Sequence, residues 1–268
     1  MPFNLPGILV PFHLLLNPRL LVPGVVVKDI RQLDFPALYK AGYRGAVFDK
    51  DNCLTIPHED RLVPEIIEAW QECRETFGPG NVLIVSNTAG SHLDVGEIEA
   101  ESVSHHLSAP VLRHASLKPS YACIKSIRAY FASLPKPVKD EELVIVGDRL
   151  LTDIVMANRM SRRAPPSSPN LFDSSTEKSS SGGVDDLARP ARVGPLAVWT
   201  EGLWERENLV LRALERGMLK GAERWVLKPQ EIAWRDSLQH RFVKPVPVVE
   251  EGVVKEGWVR RLVRRFRS

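Results

Sequence analysis

Two carboxylates, Asp49 and Asp51, stand two residues apart just beyond the apolar run Arg44-Gly45-Ala46-Val47-Phe48. A carboxylate at such a place can attack phosphorus and carry the phosphoryl group, and a neighbour on the same side of the loop can exchange a proton with the leaving oxygen and then with water. Ser86 with Asn87, Lys118, and Asp148 with Asp153 form three further polar sets. Phosphoryl transfer needs an in-line nucleophile, a proton donor and positive charge around the equatorial oxygens. In that scheme Asp49 is the nucleophile, Asp51 the acid and base, and Lys118 a fixed charge, while Ser86 or the Asn87 backbone hydrogen-bonds the phosphate. Two carboxylates in one site repel, which implies a divalent cation, and hard oxygen ligands favour Mg²⁺. Asp148 is the natural further ligand, with Asp153 behind it or on the metal.

These sets must be positioned by strands. Arg44 to Phe48, Val82 to Val85, Pro110 to Leu112 and Leu143 to Val146 read as short buried strands, and the polar sets follow their ends. Between them lie helical stretches: Asp29 to Ala41 stopped by Gly42, a helix opened by Pro64, one near Gly96 to Leu107, and one through Ile124, Ile127 and Phe131. Leu196 to Trp199 reads as a fifth strand and Glu205 to Leu219 as a charged amphipathic helix. Alternating strands and helices predict an α/β fold with a doubly wound, Rossmann-like parallel sheet, whose ligands bind at the carboxyl ends of the strands.

Other chemistries lack their residues. Cys123 is followed six positions on by Ala129 rather than by the Arg of a cysteine phosphatase, and His-Glu-x-x-His, Gly-x-Ser-x-Gly and Walker patterns do not occur. His92, His105, His106 and His114 read as surface or helix-end residues. The three cysteines, Cys53, Cys73 and Cys123, have no metal-like spacing, and their odd number fits a reducing compartment better than a disulfide framework.

With 268 residues and 44% apolar content the chain can fill one α/β core plus peripheral segments. The net charge of +3 is unevenly spread. Met1 to Val27 carries one charged residue, Arg19, while Lys255 to Ser268 holds six Lys or Arg and one Glu. Pro6, Pro11, Pro18 and Pro23 interrupt the apolar N-terminal run too often for a spanning helix. Residues 1–28 are therefore expected to be an apolar arm, packed on the main domain or dipping into a membrane interface; 29–250 form the main domain, with a disordered insertion at 162–195. Residues 251–268 form a basic tail, in which Trp258, Leu262 and Phe266 share one helical stripe with Arg260, Arg261, Arg264 and Arg265 around it. The alternative for the tail is a solvated or packed helix.

Asp49-x-Asp51, Val85-Ser86-Asn87, Lys118-Pro119 and Gly147-Asp148-x-x-x-x-Asp153 together resemble the four motifs of the haloacid dehalogenase superfamily of phosphatases, over roughly Arg44 to Ser161. The fuller strings Phe48-Asp49-Lys50-Asp51-Asn52, Val85-Ser86-Asn87-Thr88-Ala89-Gly90 and Gly147-Asp148-Arg149-Leu150-Leu151-Thr152-Asp153 resemble the mitochondrial phosphatidylglycerophosphate phosphatases of fungi and their bacterial relatives. That resemblance implies a Mg²⁺ site on Asp49, Asp148, Asp153 and the Asp51 backbone carbonyl, and hydrolysis of phosphatidylglycerophosphate to phosphatidylglycerol on the cardiolipin pathway. It places the protein peripherally at the matrix face of the inner mitochondrial membrane. Cys53 departs from the Thr common in that family, which predicts a changed rate more than a lost activity.

Superfamily members often carry a cap after the first motif or between the second and third, and neither gap here has room for one. An open site suits a phosphate on a bulky carrier, and the greasy and basic ends favour an anionic phospholipid membrane over nucleic acid. Lys50 and Arg149, cationic and beside catalytic carboxylates, are the candidate headgroup readers. A homo-oligomer stays open. The alternatives are a capless phosphatase for a soluble phosphomonoester, nucleotide or phosphoprotein, and a catalytically idle membrane-associated binding protein.

Overall fold

A computed structural model describes residues 14, 16–163, 192–202, 204–205 and 209–244. Five strands form one parallel sheet in the order β1-β7-β4-β2-β3, with β1 at Val25–Val27, β2 at Gly45–Phe48, β3 at Val82–Ile84, β4 at Leu143–Gly147 and β7 at Leu196–Thr200. All but one of these twenty positions are buried, Val26 being half-buried, because helices cover both sheet faces. Side chains that alternate along each strand divide into two cores. Val144, Val146, Leu196 and Val198 point to one side, with Phe48, Trp70 and Phe77, while Leu143, Ile145, Ala197 and Trp199 point to the other, with Ile124, Ile127 and Phe131.

Seven α-helices are described: α1 (Phe35–Lys40), α2 (Ile67–Phe77), α3 (Ile98–Leu107), α4 (Tyr121–Ala132), α5 (Val155–Met160), α6 (Leu209–Val226) and α7 (Pro229–Phe242). Two of them are capped by side chains at their starts: the Asp34 carboxylate accepts from Ala37 N, and Ser120 Oγ from Cys123 N. Gly78 ends α2 at a φ of 84°.

Several features differ from the sequence expectation. The helix expected over Asp29 to Ala41 is a 3-10 turn at Ile30–Gln32 followed by an α-helix only at Phe35–Lys40. Residues 25–27 are not arm but edge strand, paired parallel with Val198 to Thr200, and Leu20 and Leu21 are buried ahead of it. The boundary of the N-terminal arm therefore moves back, since burying Val25 and Val27 contributes about 2 kcal/mol each and holds the segment in the core. Pro110 to Leu112 adds only Ile84 N to Pro110 O and Leu112 N to Ile84 O beside β3, too little for a strand. The amphipathic helix starts and ends later than Glu205 to Leu219.

Helix α7 has no counterpart in the periodicity. Its Gln239 side chain pairs with the backbone of the edge strand, accepting from Val26 N at 2.9 Å and donating to Val26 O at 2.5 Å, so the open edge of β1 is closed by a side chain. The two ends of the expected 162–195 insertion are ordered instead, Arg162–Arg163 (β5) pairing antiparallel with Arg192–Val193 (β6); the residues between them, and the tail with Trp258, Arg260, Arg261, Leu262, Arg264, Arg265 and Phe266, lie outside the described residues. From Gly45 to Ser161 the chain holds β2, β3 and β4 of the sheet with the helices that connect them, without an inserted cap.

Candidate active site

Parallel pairing sets Phe48 level with Ile84 and with Val146, so the chain leaves β2, β3 and β4 at one height. Asp49, Ser86 and Asp148 therefore meet above the carboxyl edge of the sheet. Ligand atoms of Asp49, Asp148 and Asp153, all buried, lie within 4.8 Å of one another. Lys118 Nζ donates to Asp49 Oδ1 and Asp153 Oδ1, each at 2.7 Å, and is itself buried. Its backbone N–H donates to Asn87 Oδ1 at 2.7 Å, so the Asn87 side chain anchors the lysine.

Gly147 makes the approach possible. A Cβ there would sit 2.4 Å from the Asp153 side chain, so only glycine lets the carboxylate rest against the end of β4. Asp153 is fixed further by Arg149 N and Thr152 Oγ1, both donating to Oδ2 at 3.2 Å.

Burial pushes the Asp49 carboxyl up to about 6, with Lys118 pulling against it and the charges of Asp153 and Asp51 adding to it. Burial also holds Asp148 well above the usual carboxylate range, reinforced by Asp49. Burial alone would lower Lys118, but Asp153 and Asp49 outweigh it and raise it. Carboxylates crowded this way are relieved by a bound cation. Asp148 Oδ1 supplies a direct sign of fit: it is buried and has no hydrogen-bond partner, an arrangement that costs free energy unless a ligand satisfies it. An all-oxygen set of this kind could hold a divalent metal ion.

Asp51 faces another way. Its carboxylate accepts from His58 N at 2.9 Å and Thr88 Oγ1 at 3.1 Å and pairs with Lys50 Nζ at 2.9 Å. Burial would raise its pKa, but Lys50 and the two donors hold it below the usual range. Lys50 is fully buried; besides Asp51 it pairs with Glu99 at 2.9 Å and donates to Glu59 O at 3.0 Å. This corrects the expectation of a headgroup reader, because no face of Lys50 is open to a ligand. The reason is tertiary: Glu99 at the start of α3 and the Glu59 carbonyl close over it. Arg149 is half-buried beside Asp148.

Ser86 is buried, its Oγ accepting from Thr88 N at 3.0 Å and sharing a hydrogen bond with Thr88 Oγ1 at 2.9 Å. His114, expected at the surface, is instead buried between the carbonyls of Ser86 (Nε2, 2.9 Å) and Ser116 (Nδ1, 2.8 Å), and burial lowers its pKa. Cys53 is buried under the site, and burial together with the charges of Asp49, Asp148 and Asp153 pushes its thiol well up, so it is held as an inert thiol.

Two residues of α6 were not among the expected site residues. Arg212 pairs with Asp148 through Nη2 and Oδ2, and its Nη1 donates to the Asp148 carbonyl at 2.7 Å, which also accepts from Trp199 Nε1 at 2.9 Å. Glu215, also buried, accepts from Leu151 N at 3.3 Å and is raised by burial. The available signal was that Arg212 and Glu215 fall on the same helical stripe as the apolar Leu219 and Ala222, where solvated charges do not belong.

A capless parallel sheet with Asp49-x-Asp51, Lys118 and Asp148 gathered at its carboxyl edge defines a phosphatase of the haloacid dehalogenase type. Within that class the chain belongs to the mitochondrial PGP phosphatase family, whose family model matches residues 5–163. It is similar to the mitochondrial phosphatidylglycerophosphatase of Saccharomyces cerevisiae, 38% identical over 157 residues that cover 59% of this chain and 83% of that protein. A chloroplastic phosphatidylglycerophosphate phosphatase of Chlamydomonas reinhardtii is 41% identical over 144 residues, 53% of this chain and 51% of that one. The probable phosphatase YqeG of Bacillus subtilis is 28% identical over 141 residues, 53% of this chain and 73% of its own length. No solved structure matches the chain. Arg212 and Glu215 lie beyond the residues matched by the family model.

Proposed function

We propose that the protein is a Mg²⁺-dependent phosphatase that hydrolyses phosphatidylglycerophosphate to phosphatidylglycerol through an aspartyl-phosphate on Asp49. The observation that carries the reading is the Asp49–Lys118–Asp153 bridge beside Asp148, in a chain of this family.

In the first half-reaction an Asp49 carboxylate oxygen attacks phosphorus, the bond from phosphorus to the glycerol oxygen breaks, and the departing oxygen takes a proton from Asp51. The incoming phosphate raises the proton affinity of Asp51 by like-charge repulsion, against the hold of Lys50. In the second half, water attacks phosphorus, Asp51 takes its proton, and inorganic phosphate leaves with Asp49 restored. Lys118 keeps the attacking oxygen oriented and offsets charge on the phosphoryl group. Ser86 and the Asn87 backbone donate to that group. Mg²⁺ held by Asp49, Asp148, Asp153 and the Asp51 carbonyl would supply further positive charge there.

Support for a lipid substrate comes from the names of the relatives and from a site without a cap. No described helix is long and apolar enough to cross a membrane, and the reading places the protein peripherally on the matrix face of the inner mitochondrial membrane. Arg149 remains the proposed headgroup contact, and the tail from Trp258 to Phe266 a proposed contact to anionic lipid. The test is phosphate release by the purified chain with Mg²⁺ across lipid, sugar, nucleotide and peptide phosphates. Preference for phosphatidylglycerophosphate is expected; preference for a soluble class would overturn the substrate.

A further inference from the structure

Helix α6 has three faces. At about 100° per residue, Arg212, Glu215, Leu219 and Ala222 fall together, and all four are buried against the domain. Leu211, Leu214, Met218 and Trp225 fall on a second stripe, at steps of three, four and seven residues, which is one face of a helix. Three of these are exposed, Leu214 at 57% and Trp225 at 85%, with Leu211 beside them and Met218 half-buried. Arg216, Lys220 and Arg224 recur at steps of four on a third stripe, and all are exposed. The two acidic side chains of α6 do not oppose that charge: Glu215 is buried and Glu223 pairs with Arg235 at 2.6 Å.

An exposed apolar ridge beside a basic ridge matches an interface that is greasy below and anionic above. A protein surface of ordinary kind leaves a tryptophan this bare only where something covers it. The stripe also continues directly into the site, because Leu211 adjoins the Arg212 that grips Asp148.

We propose that α6 is the docking helix of this protein for an anionic phospholipid bilayer, with Leu211, Leu214 and Trp225 entering the headgroup boundary and Arg224, which borders that ridge, and Lys220 next to it contacting lipid phosphates. The inference rests on the lipid-substrate reading and names the surface that reading lacks. It gives α6 two tasks: one face holds Asp148, and another sets the site against the membrane that carries the phosphate.

The test is sedimentation of the full chain with phosphatidylcholine vesicles, with and without phosphatidylglycerol. Leu214→Gln with Trp225→Gln should lower binding about tenfold. Each of Lys220→Gln and Arg224→Gln should lower it about fivefold, and only on the anionic vesicles. The blue shift of tryptophan emission on vesicle addition should be lost in Trp225→Phe. Hydrolysis of a soluble aryl phosphate and the circular dichroism should stay unchanged in all of these variants.

Wild-type binding by the variants would overturn the docking helix. So would a wild-type dimer that the Leu214 and Trp225 changes dissociate without loss of vesicle binding, which would make the stripe a contact between copies. A red shift of Trp225 emission on deleting residues 1–13 would overturn it as well, by showing the stripe covered by the chain itself. Hydrolysis of phosphatidylglycerophosphate in detergent micelles separates the two readings. Turnover there with variants that bind vesicles normally sinks the docking helix alone; no turnover there with α6-dependent binding sinks the substrate alone.

Discussion

Arg212 grips Asp148 twice, at a carboxylate oxygen and at its own peptide carbonyl, and leaves the other carboxylate oxygen buried without a partner. A residue of a late helix thus sets the orientation of a carboxylate more than sixty positions earlier in the chain.

Truncating that guanidinium leaves a buried carboxylate with half its hold. Arg212→Gln is expected to destabilise the protein by about 3 kcal/mol, the scale for breaking one partner of a buried pair. It should also weaken Mg²⁺ binding at least about tenfold, comparable to the loss of an outer-shell partner. Urea unfolding and calorimetric Mg²⁺ titration measure the two effects. Arg212→Lys should recover part of the stability and little of the orientation, since an ammonium lacks the planar fork.

Asp49→Asn should abolish turnover while the fold persists, seen as loss of phosphate release with unchanged circular dichroism. The same change bears on stability. Because the folded carboxyl is raised to about 6 from 3.8, the metal-free protein binds an extra proton between these values, and Asp49 contributes a stability that is lost as pH rises through 6. At neutral pH in chelator, Asp49→Asn should therefore be more stable than wild type, by up to about 3 kcal/mol. Thermal melts at pH 5 and pH 7 check the sign: the difference should shrink in acid.

Lys50 separates two roles by kinetics. As the buried partner of Asp51 it affects proton transfer, so Lys50→Met should lower kcat by about a hundredfold, the scale of general acid–base catalysis, with KM changed far less. A headgroup reader would show the opposite pattern, KM rising with kcat retained.

Gly147→Ala places a methyl group 2.4 Å from Asp153. Either the carboxylate or the end of β4 must move, at a cost of about 1–3 kcal/mol, and Mg²⁺ affinity should fall with it. Equal unfolding midpoints and equal Mg²⁺ titrations for variant and wild type would contradict this packing.

Much of the fold is legible because its strands are apolar throughout and end abruptly. Val82 to Ile84 and Leu143 to Val146 need no partner to be recognised, and the polar residues that follow each one mark the functional edge. The helices of the 64–132 region were similarly readable from Pro64, Gly78 and the apolar spacing. Residues 25–27 misled because an all-apolar segment among prolines is compatible with an arm as well as an edge strand; only the vacancy beside β7 decides which. Helix α7 was hidden because its buried work is done by few residues, Gln239 on the edge strand and Phe242 in the core.

By itself the sequence determined the chemistry of the site: Asp49, Asp51, Lys118, Asp148 and Asp153 are chosen by residue type and by their place after buried strands, both local properties. Tertiary structure alone decided which charges neutralise one another. Lys50 turns inward to Glu99, His114 props the Ser86 carbonyl, and Arg212 reaches back to Asp148. Ion pairs between distant segments leave no periodic trace, because a buried charge satisfied by a remote partner and a solvated one are written with the same letter.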